Sequence, residues 1–281
     1  MSNILSPEFW EHAWDKFRRE NSYVIYNKDD QAKYWNARAS NFTNHSGDNR
    51  TSEVLELLNK KGILQAGVRV LDIGCGPGLF TIPMASQGIF VVAVDPADKM
   101  LALLKDKLPA KSSSFVTTIE ALWEDIDIIS NGWINSFDLV FASMSPAINS
   151  LATLRKMISC SRKWCYLSGF AGIKQFELLD SLWLTLVGKP YREHFNDIIF
   201  PFNIIYSLGY KPEITYKTSI TKQKEETDLL KQQILNNLSQ EIKLTPEVIE
   251  YVHNFLTERS YQGIIEHNIT STVGMMIWKV D

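Results

Sequence analysis

From about residue 52 to residue 170, short runs rich in β-branched residues alternate with longer stretches whose apolar positions recur every three or four residues. The runs Val68–Ile73, Phe90–Val94, Ser114–Thr118, Phe137–Ala142 and Trp164–Ser168 predict strands. The stretches Ser52–Lys61, Leu79–Gln87, Ala97–Leu108, Ala121–Ile129 and Ser150–Ser159 predict the helices around them. Such alternation predicts an α/β fold with a parallel sheet covered by helices on both faces.

The flanks have a different texture. Ser6-Pro7 opens a helix in which Trp10, Trp14 and Phe17 share one face, and a second helix is expected over Gln31–Phe42, with Trp35, Ala39 and Phe42 at helical spacing. Beyond residue 170 the pattern predicts helices over Phe176–Val187 and Asp197–Leu208, then a strand over Lys211–Ser219. Helices over Glu225–Leu238 and Pro246–Glu258 follow, and Thr272–Val280 closes the chain as a strand. The expected organisation is an N-terminal helical cap (1–50), a core (51–220), a helical insertion (221–266) read as a substrate cap, with a dimer contact or decoration of the sheet edge as the alternative, and a last core strand (267–281).

Composition narrows the class. The 281 residues are 45% hydrophobic and 22% charged, with 29 Lys+Arg against 32 Asp+Glu and a net charge of −3. That balance argues against a nucleic-acid binder, which carries a clustered basic face. No apolar run reaches the roughly 20 residues of a membrane span. The N-terminus lacks the basic-then-apolar layout of a signal peptide. Cys75, Cys160 and Cys165 form neither a paired framework nor a zinc motif, so a reduced, cytoplasmic location without a bound metal is expected. The composition sets no oligomeric state.

The chemistry concentrates in Val70-Leu71-Asp72-Ile73-Gly74-Cys75-Gly76-Pro77-Gly78, where an apolar strand enters a turn with three alternating glycines and a helix follows. Glycines let a backbone bend sharply and approach a ligand. A dinucleotide fingerprint needs a glycine at position 79, which is Leu79. Asp72 at the strand end suits a ligand carrying positive charge, such as an ammonium or a sulfonium. The next strand ends in Asp95, placed to accept hydrogen bonds from ribose hydroxyls, although Asp95-Pro96 also suits a helix start.

With Val92-Ala93-Val94-Asp95 and the Phe137-Asp138-Leu139-Val140 strand, these residues resemble the class I S-adenosylmethionine-dependent methyltransferases. The resemblance spans about residues 50–170 and implies a Rossmann-like sheet of seven strands, the last two being the late ones. It implies that Asp72 and the loop Gly74, Cys75, Gly76 and Gly78 hold the methionine part of S-adenosylmethionine. Asp95, with Pro96 after it, would bind the ribose, and Met100 would neighbour the adenine. Ile119 and Glu120 stand where family members read the adenine edge, although Trp123 replaces the proline usual in that segment. Cys75 reads as a small filler, since the family commonly has a small residue there. An aromatic segment ahead of the sheet often folds over the cofactor, which brings in Tyr34, Trp35, Arg38 and Phe42 as alternatives to plain core packing.

The acceptor side is less legible. Ser143, Met144 and Ser145 follow the fourth strand at the carboxyl edge, where ligands of such sheets bind, and Ser143 is counted with the cofactor contacts. The Asn/Asp-Pro-Pro-Tyr/Phe motif of base-methylating enzymes is absent there. Among His12, His45, His194, His253 and His267, His45 is the weak catalytic candidate. The expected activity is methyl transfer to a small-molecule acceptor. An RNA or protein methyltransferase, or a non-catalytic protein binding the same cofactor, is the alternative.

Overall fold

In this computed structural model, residues 3–20, 28–39, 50–191 and 197–281 are described. They fall into two units: Met1–Gly169 with Asn196–Thr215 and Gly274–Asp281, and Phe170–Phe195 with Tyr216–Val273. The strands are β1 (Arg69–Ile73), β2 (Phe90–Asp95), β3 (Val116–Glu120), β4 (Phe137–Ser143), β5 (Ser161–Phe170), β6 (Gln175–Phe176), β7 (Glu213–Glu226) and β8 (Ile264–Lys279). The helices begin with α1 (Pro7–Glu20), α2 (Lys28–Arg38), α3 (Arg50–Lys60), α4 (Thr81–Ser86) and α5 (Asp98–Lys107). They continue with α6 (Leu151–Cys160), α7 (Glu177–Leu186), α8 (Ile199–Ser207), α9 (Thr227–Leu238) and α10 (Pro246–Thr257).

In the first unit, β3, β2, β1, β4 and β5 lie side by side in that order, all parallel. Beside β5, β8 runs antiparallel, with Val280 N–H donating to Lys163 O at 3.0 Å. The α/β expectation is met. Phe137 to Ala142 are all buried, as a strand covered on both faces requires. At the amino edge Asp138 ties three strands together. It accepts the Arg69 N–H at 3.0 Å and two bonds from the Arg162 guanidinium at 2.9 and 2.8 Å. Arg162 holds its carboxyl at about 2.

The N-terminal helices dock at different places. Trp14 is buried and stacks on Phe200, so α1 packs against α8. Asn36 on α2 donates to Asp98 at 2.6 Å and accepts the Lys99 N–H at 3.1 Å, which seats α2 at the start of α5.

Where a helix was expected over Ala121–Ile129, only a single 3₁₀ turn forms, Trp123–Asp125. The Asp127 carboxylate accepts the N–H groups of Ile129 and Ser130, and this local turn competes with helix. The Trp123 indole is buried and donates to Thr153 O at 3.2 Å, fastening the segment to α6.

In the second unit, α7, α9 and α10 enclose an apolar cluster that includes Leu182, Trp183, Ile234, Leu238, Val252 and Leu256, with Ile265 from β8. Here β6 pairs antiparallel with β8. Both late strands exceed the expected Lys211–Ser219 and Thr272–Val280. Thr227 N–H reaches Gly263 O at 2.9 Å, and the Thr218 and Thr272 hydroxyls meet at 2.9 Å, so β7 and β8 form a long antiparallel ribbon. Lys222 and Lys224 both pair with Glu266 across it.

Candidate cofactor site

Parallel strands deliver their ends to one edge of the sheet, and the glycine loop, Asp95, Glu120 and Ser143 all lie at the carboxyl edge. Gly74, Gly76 and Gly78 have φ of 71°, 54° and 84°, the left-handed region that glycine enters without steric cost. Gly74 and Cys75 donate their N–H groups to Val94 O, which bends the loop over the end of β2.

A Cβ on each glycine would meet different things. On Gly74 it would lie 2.1 Å from Ser145 Oγ, and on Gly78 it would lie 2.8 Å from Leu104 Cγ. On Gly76 it would meet nothing within 4 Å. Gly74 and Gly78 are therefore small because the protein packs on them. Gly76 faces open space.

Asp95 fixes this loop to the second strand. Its carboxylate is buried and accepts the N–H of Gly76 and of Ala97, each at 2.9 Å. Burial raises its pKa, against the pull of those two donors. Asp72 is more enclosed still, 2% exposed, and accepts the Thr81 hydroxyl at 2.6 Å. Burial pushes its carboxyl up to about 7, opposed by the Thr81 bond and reinforced by the Asp95 charge. Thr81 is the partner that sequence reading missed. Cys75 is buried, and burial raises its thiol pKa further from neutrality, with the Asp72 and Asp95 charges adding to the effect.

The remaining candidates divide. Met100 is buried with Ala97 and Ala39, and Trp35 packs against this group, so the aromatic helix does reach the start of α5. Arg38 is exposed and lies over the Tyr34 ring at 3.4 Å. Pro96 and Ile119 are half-buried, and Glu120 is exposed and opposite Asp95 in the β2–β3 register. Ser143 is half-buried and its Oγ lies 3.1 Å from Ser168 Oγ. His45, Phe42 and His194 lie outside the described residues.

Residues 70–165 match a family model described as a methyltransferase domain. That segment is thus similar to the methyltransferase domains to which the sequence resemblance points, those of class I. Enzymes of this class draw their methyl group from S-adenosylmethionine, and an open cradle at Gly76 beside a strand-end carboxylate fits such a ligand. Over 167 residues the chain is 28% identical to an uncharacterised protein of Haemophilus influenzae, covering 58% of this chain and 57% of that one. It is 30% identical over 119 residues to the 23S rRNA (uracil(1939)-C(5))-methyltransferase of Shewanella amazonensis, with 42% and 26% covered. It is 25% identical over 158 residues to the mitochondrial ubiquinone biosynthesis O-methyltransferase of Bos taurus, with 54% and 36% covered. The chain thus spans between a quarter and somewhat over half of these relatives. Among solved structures, the magnesium protoporphyrin IX methyltransferase of Synechocystis with bound S-adenosylhomocysteine aligns over 96% of this chain and 97% of that one, at 17% identity and a TM-score of 0.43.

Proposed function

We propose that the protein is an S-adenosylmethionine-dependent methyltransferase acting on a small-molecule acceptor. The observation that carries the reading is the Asp95 carboxylate, locked by Gly76 and Ala97 at the tip of β2 beside a glycine with open space before it. Each carboxylate oxygen keeps a lone pair for a ribose hydroxyl. In this reading Asp72 and the loop backbone from Gly74 to Gly78 hold the methionine part. Met100, Ile119 and Glu120 surround the adenine, and Trp35 lies beside Met100. Ser143 stands on the acceptor side at the end of β4.

The bound sulfonium supplies an activated methyl group and its own leaving group. The chain's task is then to align the acceptor and keep water away. A small acceptor is supported by the slightly acidic balance of 29 Lys+Arg against 32 Asp+Glu, and by relatives named for ubiquinone and magnesium-protoporphyrin O-methylation. Three cysteines, all free and buried, suit the reducing cytoplasm.

Isothermal titration tests the reading. S-adenosylmethionine and S-adenosylhomocysteine should bind with roughly micromolar affinity, and Asp95→Ala should weaken both by about 10- to 100-fold. Preference for NAD, or unchanged affinity in Asp95→Ala, counts against it.

A further inference from the structure

Tyr166 is a fully buried phenol. Its ring stacks on Phe141 at 4.5 Å, and Phe141 in turn touches Phe80, the second residue after the glycine loop, at 4.8 Å. A row of rings thus runs from the cofactor loop to β5. Among the described residues the hydroxyl makes no hydrogen bond of ordinary geometry, which is rare for a buried polar group. The β4–β5 register aligns Phe141 with Tyr166 and Ser143 with Ser168, so alternation puts all four side chains on one face. The hydroxyls of Ser143 and Ser168 are the groups facing the phenol, and the Arg50 guanidinium adds its positive field. Met144, left-handed at φ 53°, donates its N–H to Ser168 Oγ at 3.2 Å and to Ser168 O at 3.0 Å.

The direction of this chain follows from acidity. A phenol is a better donor than an alcohol, and Ser168 already accepts from Met144. Tyr166 therefore donates toward Ser168, Ser168 donates to Ser143, and the Ser143 proton is left pointing out of the cluster. Ser143 alone of the three is partly exposed, at the edge where the acceptor must arrive.

We propose that Tyr166, Ser168 and Ser143 form a hydroxyl relay that selects acceptors bearing a carboxylate or carbonyl oxygen next to the methylated atom, with Ser143 making the contact and Tyr166 acting as a positioning residue. This rests on the methyl-transfer reading. Arg50 strengthens the preference for a negative group and disfavours an ammonium in the same place.

Three fragments sharing a phenyl ring test it: benzoate, benzamide and benzylammonium, titrated into the S-adenosylhomocysteine complex by ligand-observed NMR. Benzoate and benzamide should bind, and benzylammonium should bind at least about tenfold more weakly. Ser143→Ala should remove benzoate binding, and Tyr166→Phe should weaken it by roughly three- to tenfold. Tyr166→Phe should bind S-adenosylhomocysteine as the wild type does, because Tyr166 is not among the residues assigned to the cofactor. Ser168→Ala, which breaks the relay in the middle, should match Tyr166→Phe in fragment affinity. Equal or tighter binding of benzylammonium overturns the proposal, as does benzoate affinity unchanged in Tyr166→Phe or absent from the wild type. A wild type that does not bind S-adenosylhomocysteine fails at the first titration and removes the underlying reading together with the relay.

Discussion

Asp72 and Asp95 are both strand-end carboxylates, but the structure gives them different work. Asp95 accepts two backbone N–H groups, those of Gly76 in the loop and Ala97 after the strand. Asp72 is turned inward onto Thr81, and burial lifts its pKa to about 7. A carboxyl whose folded pKa lies above its unfolded value holds a proton in the folded state that the unfolded chain has released. Stability therefore falls as pH rises between about 4 and about 7, and levels off above that window. Asp95 is shifted the same way and adds to the slope. Melting temperature of the ligand-free protein measured from pH 5 to pH 8 should decline, and Asp72→Asn should flatten the decline while keeping an acceptor for Thr81. Parallel profiles for wild type and variant would place the slope elsewhere. Both carboxylates were legible from their positions after apolar runs. Thr81 was not, because it becomes a neighbour only once the glycine loop brings the start of α4 back to Asp72. Tyr166 escaped for a similar reason, since its hydroxyl gains meaning only from the register of β4 against β5.

The loop between β1 and α4 shows how an element distributes its demands. Its three glycines look alike in sequence, and all three require positive φ. Gly74 additionally admits Ser145, and Gly78 admits Leu104. Gly74→Ala should therefore lose several kcal/mol of stability, combining a left-handed strain of roughly 1–3 kcal/mol with overpacking of about 1–3 kcal/mol. The Cβ of Gly76→Val would meet no protein atom within 4 Å, so the variant bears the left-handed strain, roughly 1–3 kcal/mol, and should fold while binding of S-adenosylmethionine is lost. Circular dichroism melts paired with titration separate the two. Normal binding by Gly76→Val would mean that the loop is not the cradle. Elements with a strong apolar period, β1, β2 and β4, were readable to within a residue or two at most ends. The late strands were not. The polar half of β7, from Thr221 to Glu226, shows no apolar alternation, being held by backbone pairing and the lysines on Glu266. On β8 the inward row Ile265, His267, Ile269 is broken by the histidine, which hides a period of two.

At the scale of the whole molecule, the second unit is the part whose purpose composition could not suggest. Its helices were expected as an insertion over 221–266, and replacing such an insertion by a short turn is the obvious test of its function. The apolar cluster argues for a different experiment. Phe176, Leu178, Leu179, Leu182 and Trp183 pack against Leu230, Ile234, Leu238, Val252 and Leu256, so deleting α9 and α10 would bare the apolar face of α7. A single charge placed in the cluster disturbs the unit without that exposure being built in. Leu256 is fully buried, and Leu256→Asp leaves an unpaired charge among apolar side chains, which costs several kcal/mol. The residues assigned to the cofactor all belong to the first unit. If the second unit governs the acceptor, Leu256→Asp should bind S-adenosylhomocysteine with the affinity of the wild type and transfer no methyl group from labelled cofactor to acceptors in a metabolite extract. Transfer at the wild-type rate, in a variant whose near-ultraviolet dichroism shows the second unit disordered, would assign acceptor recognition to the first unit alone, with Ser143 at the end of β4 as its nearest candidate.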